Sequence, residues 1–360
     1  MSLLLIDIGR GTQDILLTRP KQPLENSIQL VLPSPTTLLA GKVSHATARR
    51  EDLFFTGETM GGGPLTAAVR RHLREGLKVW ATPRAAATFD DDLDQVQAMG
   101  VAVVGEEEAP SRNPRGSTRT IRTGDVDLDA LAAALGKLGI PLDCTAVAVA
   151  VQDHGRSPRG TSDRRFRFEK LRERLALSRH LPGLAYTEED LPDYLTRMQG
   201  VKRSLEGRGP LLFMDTGFAA LLGALDDPTV GEEGRRLLLN VGNGHTLAGL
   251  VEGEELTALF EHHTGRLDGE RLEAWLDRLV RGEIAEDEVY RDGGHGAYFL
   301  PESSFPGWEG IDVFAATGPR RALADQLEHR PFFAAPHGQM MLTGNFGLYR
   351  AWRERWETDE

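Results

Sequence analysis

The sequence predicts an α/β protein built as two sheet-and-helix halves around a central cleft. Three observations carry that expectation. A glycine-rich hairpin pattern occurs twice, at residues 3–17 and again at residues 237–251. Thr145-Ala146-Val147-Ala148-Val149-Ala150-Val151 is an unbroken apolar run, the mark of a strand buried on both faces of a parallel sheet. At 360 residues the chain is long enough for two medium domains, each with its own core.

In the first hairpin, apolar runs around Leu3–Ile8 and Ile15–Leu17 flank Gly9-Arg10-Gly11-Thr12-Gln13. Each run has strand length and the insert has turn chemistry. Gly9 and Gly11 tolerate positive φ and let backbone N–H groups approach a ligand closely. A concave run of such groups is an anion nest, and phosphate is its usual anion. Asp7 ends the first strand at the mouth of that nest. A carboxylate there repels phosphate directly, so its natural task is to hold a hydrated Mg²⁺ between itself and the phosphates. Thr12 adds a hydroxyl donor. In the second copy an apolar run meets Asn240, then Gly242-Asn243-Gly244-His245-Thr246, then another apolar run. Either hairpin alone reads equally well as an ordinary turn; the repetition favours two related halves facing one phosphate-bearing ligand.

Between the hairpins, strands and helices alternate. Ile28 to Leu32 reads as a strand closed by Pro33-Ser34-Pro35, and Leu38 to Arg50 as a short helix. Leu53 to Gly57 is a strand. Pro64 in a first turn and Gly76 just past the end bracket a helix over Leu65 to Leu73. Gly61-Gly62-Gly63 lacks the Lys-Ser/Thr ending of a P-loop, so it reads as a structural or substrate loop. Leu77 to Trp80 and Val101 to Val104 are strands. Phe89 to Met99 reads as a helix whose acidic start, Asp90-Asp91-Asp92, suits the helix dipole. Glu106 to Thr120 reads as a surface loop, and Leu128 to Leu138 as a helix.

The central strand ends in Gln152-Asp153-His154-Gly155, and such positions face the ligand crevice of open α/β sheets. The basic stretch Arg156 to Arg174 reads as a solvated helix face, paired internally with Glu169 and Glu173, ahead of an anion-receiving surface. Glu188 to Gly200 reads as a helix. Leu211 to Thr216 is a strand leading into a helix of small residues, Gly217 to Leu225, with Asp215 as its cap. Gly253 to Leu256 makes a further hairpin turn. Adjacent residues on a strand point to opposite faces, so His262 and His263 do not share one ion. Cleft hydrogen bonding or packing is the expected role of these two and of His245. Leu267 to Val280 is a helix, Arg291 to Gly296 a loop, and Ile311 to Pro319 a strand with a glycine turn. A glycine loop around Gly344 and a helix from Leu348 to Trp356 close the chain.

In this order the pieces resemble the actin-like ATPase superfamily, which includes Hsp70, actin, sugar kinases and 2-hydroxyacyl-dehydratase activators. Within it the chain most resembles a prokaryotic group labelled as pyruvate formate-lyase activating enzymes. The resemblance implies two ribonuclease H-like domains around a central nucleotide cleft, residues 1–205 forming most of one and 206–360 most of the other, with the tail packing back across. It implies ATP and Mg²⁺ as ligands. Gly9, Arg10, Gly11, Thr12 and Gln13 look like the first phosphate loop, and Asn240, Gly242, Asn243, Gly244, His245 and Thr246 like the second. Met341 to Leu348, with Gly344, Asn345 and Gly347, looks like the adenosine loop. Asp7 corresponds to the Mg²⁺-holding carboxylate. A residue at the end of the central strand orients the attacking water or substrate hydroxyl in that superfamily. Asp153 is the first choice for that role, as general base or water-positioner, and His154 the second. Asn240 stands where an aspartate is usual, and Asn345 where a second glycine is usual. Both changes weaken the case for fast hydrolysis more than the case for nucleotide binding.

Composition sets the outer bounds. A net charge of −12 argues against nucleic acid or an anionic membrane as the main partner. A nucleotide, and an unidentified small molecule or protein, are the expected partners. No basic region or cleavage pattern precedes Leu3, so a cytoplasmic protein is expected. Cys144 is the single cysteine. An iron–sulfur cluster is held by several thiolates, so radical chemistry of the activating-enzyme type is rejected for this chain. Two further readings stay beside the Mg²⁺-dependent phosphotransferase or ATPase: a non-catalytic nucleotide-dependent module, and a metal-dependent enzyme using His154, His245, His262 or His263.

Overall fold

The computed structural model describes residues 2–105, 117–231 and 233–357. Most of the stretch read as a surface loop after Val104 lies outside them. In chain order the elements are β1 (Leu3–Ile8), β2 (Thr12–Thr18), β3 (Ile28–Pro33), α1 (Pro35–Ala48), β4 (Asp52–Gly57), α2 (Gly63–Arg74), β5 (Val79–Ala81), α3 (Pro83–Ala86), α4 (Leu93–Ala98), β6 (Val101–Val103), β7 (Thr118–Thr123), α5 (Leu128–Gly136), β8 (Ala146–Val151), α6 (Asp163–Leu177), β9 (Tyr186–Thr187), α7 (Thr196–Ser204), β10 (Leu211–Met214) and α8 (Thr216–Ala224). The second half adds β11 (Arg235–Val241), β12 (His245–Glu252), β13 (Glu255–His263), α9 (Gly269–Val280), α10 (Glu286–Arg291), β14 (Gly296–Phe299), β15 (Val313–Thr317), β16 (Phe332–Phe333) and α11 (Thr343–Trp356).

Two six-stranded sheets repeat one plan. The first has the order β3-β2-β1-β8-β10-β9, the second β14-β13-β12-β11-β15-β16. In the first, β1 and β2 and then β2 and β3 run antiparallel, while β8 and β10 run parallel to β1. In the second, β11, β12 and β13 alternate, while β15 and β16 run parallel to β11. Each is the ribonuclease H-like arrangement, and the pair is the actin-like ATPase architecture. Strand β10 belongs to the first sheet, so the change from one half to the other falls beyond residue 205. A third sheet, β6-β5-β4-β7, is inserted between β3 and β8 and has its own core under α1 and α2.

Strand alternation assigns the layers. Leu4, Ile6 and Ile8 of β1 pack with Leu131 of α5 and Met198 of α7. Leu3 and Leu5 face the opposite way, into a core shared with α8, α11 and Leu238, Leu247 and Leu259 of the second sheet. Strand β8 is buried along its whole length between β1 and β10, as its unbroken apolar sequence requires.

Helices α8 and α11 lie between the two sheets and meet through glycine. A Cβ on Gly347 would collide with the carbonyl oxygen of Ala219, and one on Gly223 with that of Thr343. The sequence suggested a loop at Gly344; helix α11 instead begins at Thr343. Close packing against α8 explains the glycines. Fully buried Asn345 donates from Nδ2 to the carbonyls of Leu5 and Asp14, tying the helix to β1 and β2. Two other helices start later than expected. Asp92 caps α4 by accepting from the Asp94 N–H at 3.0 Å, so the acidic triplet forms a turn and cap ahead of the helix. Residues 188–195 are irregular before α7. Among the described residues no helix is long and apolar enough to cross a membrane.

Gly347→Ala and Gly223→Ala are each expected to lower stability by about 1–3 kcal/mol or more through overpacking. Gly41→Ala, in α1 with open space around its Cβ position, is expected to raise it by about 0.5–1 kcal/mol. Thermal unfolding of the three variants checks this; equal effects would remove the close-packing explanation.

Candidate functional site

The two hairpin turns are built alike. The Gly9 N–H donates to the Thr12 carbonyl at 2.9 Å, and the Gly242 N–H donates to the His245 carbonyl at 2.9 Å. The Gly11 carbonyl accepts from the Ser34 N–H at the end of β3, and the Gly244 carbonyl accepts from the Thr264 N–H at the end of β13, both at 3.0 Å. This pattern matches Thr12 to His245 and Gln13 to Thr246, a register the Gly-x-Gly-x-Thr spelling hides. None of the four turn glycines has positive φ. At Gly11 the requirement is space, since a Cβ there would strike Asn243 Nδ2 of the opposite turn. The two turns therefore face one another at contact distance.

They close one end of a cavity of about 830 Å³. Gly9, Arg10, Asn240, Gly242, Asn243, Gly244 and His245 line it from the turns. Arg10 reaches from Gly244 toward Gly63 at the start of α2 on the far wall. A second cavity of about 70 Å³ lies behind the turns and is lined by Asp7, Thr12, Asp14, Thr216 and Gly344. Other expected residues do not reach either space. Gln13 donates to the Pro33 carbonyl at 3.2 Å along the sheet. Thr246 is fully buried and bonds the Thr264 hydroxyl at 3.0 Å, fixing the turn. Asn345 and Gly347 serve the α11 packing, which withdraws them from the expected ligand set.

Asp7 and Asp14 are directly opposite on β1 and β2, and both are buried. The Thr216 hydroxyl donates to Asp7 Oδ1 at 2.6 Å. Burial pushes Asp7 up to about 7, against the lowering effect of the Thr216 bond. Burial, reinforced by the neighbouring Asp7 carboxylate, pushes Asp14 up to about 8. Asp14 Oδ1 is buried without a hydrogen-bond partner. Sequence reasoning missed Asp14, although the hairpin register would have placed it beside Asp7.

Asp153 has a different task from the one expected. Its Oδ1 accepts from the Gly155 N–H at 2.8 Å, and its Oδ2 accepts from the N–H groups of Arg197 and Met198, each at 2.9 Å. It closes a turn and holds the start of α7. Burial pushes it up to about 6 against these bonds. With both oxygens engaged by backbone, it is a positioning residue.

Beyond Asp153 stands a buried ionic group. Arg167 bridges Glu261 at 3.0 Å and Asp215 at 2.9 Å, and donates to the Asp153 carbonyl at 2.9 Å. Burial opposes charge on Glu261, but the Arg167 guanidinium overrides it and holds the carboxyl below its usual value. Other members of the basic stretch tie the halves together: Arg164 donates to the carbonyls of Tyr290 and Gly294, and Arg172 to that of Ala297. Arg159 pairs with Asp94 at 2.7 Å. The stretch is a structural strap, in line with the solvated-face reading for its outer members only.

Four histidines gather at the cavity wall. The rings of His245 and His295 lie between 4.7 and 5.6 Å, centroid to centroid, from one another and from those of His154 and His263. Burial lowers all four; neighbouring imidazoles and Arg167 lower His154, His245 and His295 further, His245 to about 4. His262 points to the other face, as strand alternation requires. It bonds Asp292 Oδ2 at 3.2 Å and stacks on Phe260. His295 carried no sequence signal; only the pairing beside β13 brings it in.

The family described as "Putative pyruvate format-lyase activating enzyme (DUF1786)" matches residues 60–323. The chain belongs to this family. No curated protein matches it. Among solved structures it is similar to the Listeria monocytogenes Lmo2764 protein, a putative N-acetylmannosamine kinase, with 11% identity, 99% of this chain and 100% of that one covered, and a TM-score of 0.36. It is similar to a ROK family glucokinase from Streptomyces griseus, in complex with glucose and AMPPNP, with 11% identity, 97% and 98% covered, and a TM-score of 0.36. It is also similar to Ta0583, an archaeal actin homolog, with 12% identity, 98% and 100% covered, and a TM-score of 0.35.

The carboxyl pair makes a pH prediction. A carboxyl raised in the native state binds its proton more tightly there than in the unfolded chain, so its stabilising effect is full below its unfolded value and is lost as pH rises. For Asp14 the window runs from 3.8 to about 8. Asp14→Asn keeps the neutral shape and removes the titration. In metal-free buffer the variant should match wild type near pH 4 and exceed it near pH 8, by on the order of 2 kcal/mol. Parallel stability curves across that range would contradict the assignment.

Proposed function

We propose that the chain binds ATP with Mg²⁺ between the two hairpin turns and carries out phosphotransfer or hydrolysis on an acceptor bound toward α2. The observation that carries this reading is the pair of turns with one hydrogen-bond plan, facing each other over one cavity. Its volume of about 830 Å³ suits a nucleotide-sized ligand. Backbone N–H groups at Arg10–Thr12 and Asn243–His245 would hold the phosphates, since those of Gly9 and Gly242 close the turns themselves, and Arg10, which pairs with no carboxylate among the described residues, would offset their charge. Asp7 and Asp14 fit a hydrated Mg²⁺: both are acidic oxygen donors, and Asp14 Oδ1 is a buried acceptor without a partner. The ion would supply charge compensation to the phosphates. The family description names a different activity. Our reading departs from it because this chain's single cysteine, Cys144, does not supply the thiolates of a cluster.

A non-catalytic nucleotide-dependent module is the second reading. Two observations favour it: uncharged Asn240 at the second turn, and the engagement of both Asp153 oxygens by backbone.

Calorimetric titration of ATP with and without Mg²⁺ tests the proposal. Wild type should bind ATP roughly tenfold tighter with Mg²⁺, a difference of about 1.4 kcal/mol. Asp7→Asn should bind with little Mg²⁺ enhancement. No heat with ATP, ADP or GTP would sink the nucleotide reading. Binding without turnover across candidate acceptors would favour the module.

A further inference from the structure

We propose that His154, His245 and His295 form a site for a late first-row divalent metal ion, of the zinc or cobalt kind, that bridges the two halves of the molecule. One ligand nitrogen from each of these residues lies within 4.8 Å of the others. The Nε2 atoms of His154 and His295 are 2.9 Å apart. Two nitrogens on one zinc-sized ion, bound at about 2.0–2.1 Å, sit roughly 3 Å apart, so small ring rotations complete the set. His263 stands beside them, its ring centroid 4.7 Å from those of both His245 and His295.

The donors carry an unmet demand. His245 Nε2 is buried without a hydrogen-bond partner, and His295, whose Nε2 meets that of His154, is 2% exposed. Buried polar atoms in folded proteins nearly always have a partner. A metal ion would satisfy His245 Nε2 and replace the contact between the Nε2 atoms of His154 and His295.

The scaffold is rigid where it matters. His245 opens β12 and His263 ends β13, directly opposite in register. His295 immediately precedes β14, and its N–H donates to the Glu261 carbonyl at 2.9 Å. His154 comes from the other half, just beyond β8. Imidazole donors select zinc, cobalt, nickel or iron over magnesium, so this site is chemically distinct from the Asp7–Asp14 pair. Arg167, Arg164 and Arg10 are opposing charges nearby. Arg167 is already bridged by Glu261 and Asp215.

Two consequences follow from position. The ion needs His154 from one half and His245 and His295 from the other, so it binds the arrangement in which the halves are together and favours it by linkage. His154, His245 and His263 also line the large cavity, so open coordination positions face the space where a ligand would sit. The site does not depend on nucleotide binding, and its test uses none.

The experiment strips the full chain with a chelator, then titrates Zn²⁺ against a chromophoric competitor and Co²⁺ by visible absorption. Wild type should take up about one ion per chain, with Co²⁺ bands of a nitrogen-ligated site. His154→Ala should weaken binding roughly 100-fold or more, beyond the 10–100-fold seen for outer partners. His180→Ala removes the imidazole of a surface group with Glu254 and Glu354 and should leave the site intact. Because His295 is buried, His295→Gln is compared only after circular dichroism confirms its fold, with His154→Ala/His245→Ala as the alternative. The proposal is overturned if stripped wild type binds Zn²⁺ and Co²⁺ no tighter than that folded double variant, or if His180→Ala abolishes uptake.

Discussion

The contact on which the rest depends is the one between α8 and α11. Gly223 and Gly347 let the two helices approach until each backbone lies where the other's Cβ would be. That closeness fits both helices as one layer between the two sheets, with apolar residues of both sheets packed on it. Thr216 at the start of α8 then reaches Asp7, and Gly344 in the first turn of α11 lies against the same carboxylate. A bulkier pair of helices would spread the sheets and part the two turns.

The repeat is faithful in backbone and divergent in chemistry. Asp7 opposite Asp14 in the first hairpin corresponds to Asn240 opposite Leu247 in the second. All the carboxylate charge behind the turns therefore comes from one half. The second half contributes imidazoles instead, at positions where its strands β12, β13 and β14 begin or end. Thr12 in one turn becomes His245 in the other, so a single exchange moves that position from a hydroxyl to a nitrogen donor. The two halves share one turn geometry and differ in the donor groups they carry. Arg167, from the first half, is held by Glu261 of the second and Asp215 of the first, and couples the two chemistries at the interface.

Much of this was legible in the residues, and the reasons for the rest are specific. Both hairpins, the buried central strand and the small-residue helix α8 announce themselves through apolar run length and glycine placement, which are local. The α11 start did not, because Gly344 and Gly347 spell a loop unless α8 is known to need room for its backbone. Asp153 looked catalytic from its place at the strand end; its carboxylate instead answers N–H groups of Gly155, Arg197 and Met198, two of them more than forty residues onward. The histidine cluster is a product of pairing between strands and across halves, and no spacing along the chain encodes it. The inserted third sheet was read strand by strand without being seen as a unit, since its partners span residues 52–123.

The central claim is that the facing turns are a phosphate clamp. A crystal structure of the full chain with Mg²⁺ and a non-hydrolysable ATP analogue tests it most directly. The account predicts the phosphates within hydrogen-bonding distance of the N–H groups at Arg10–Thr12 and Asn243–His245, with Mg²⁺ on the Asp7 and Asp14 side. A nucleotide bound elsewhere, or turns left in mutual contact with the cavity empty at saturating ligand, would contradict it.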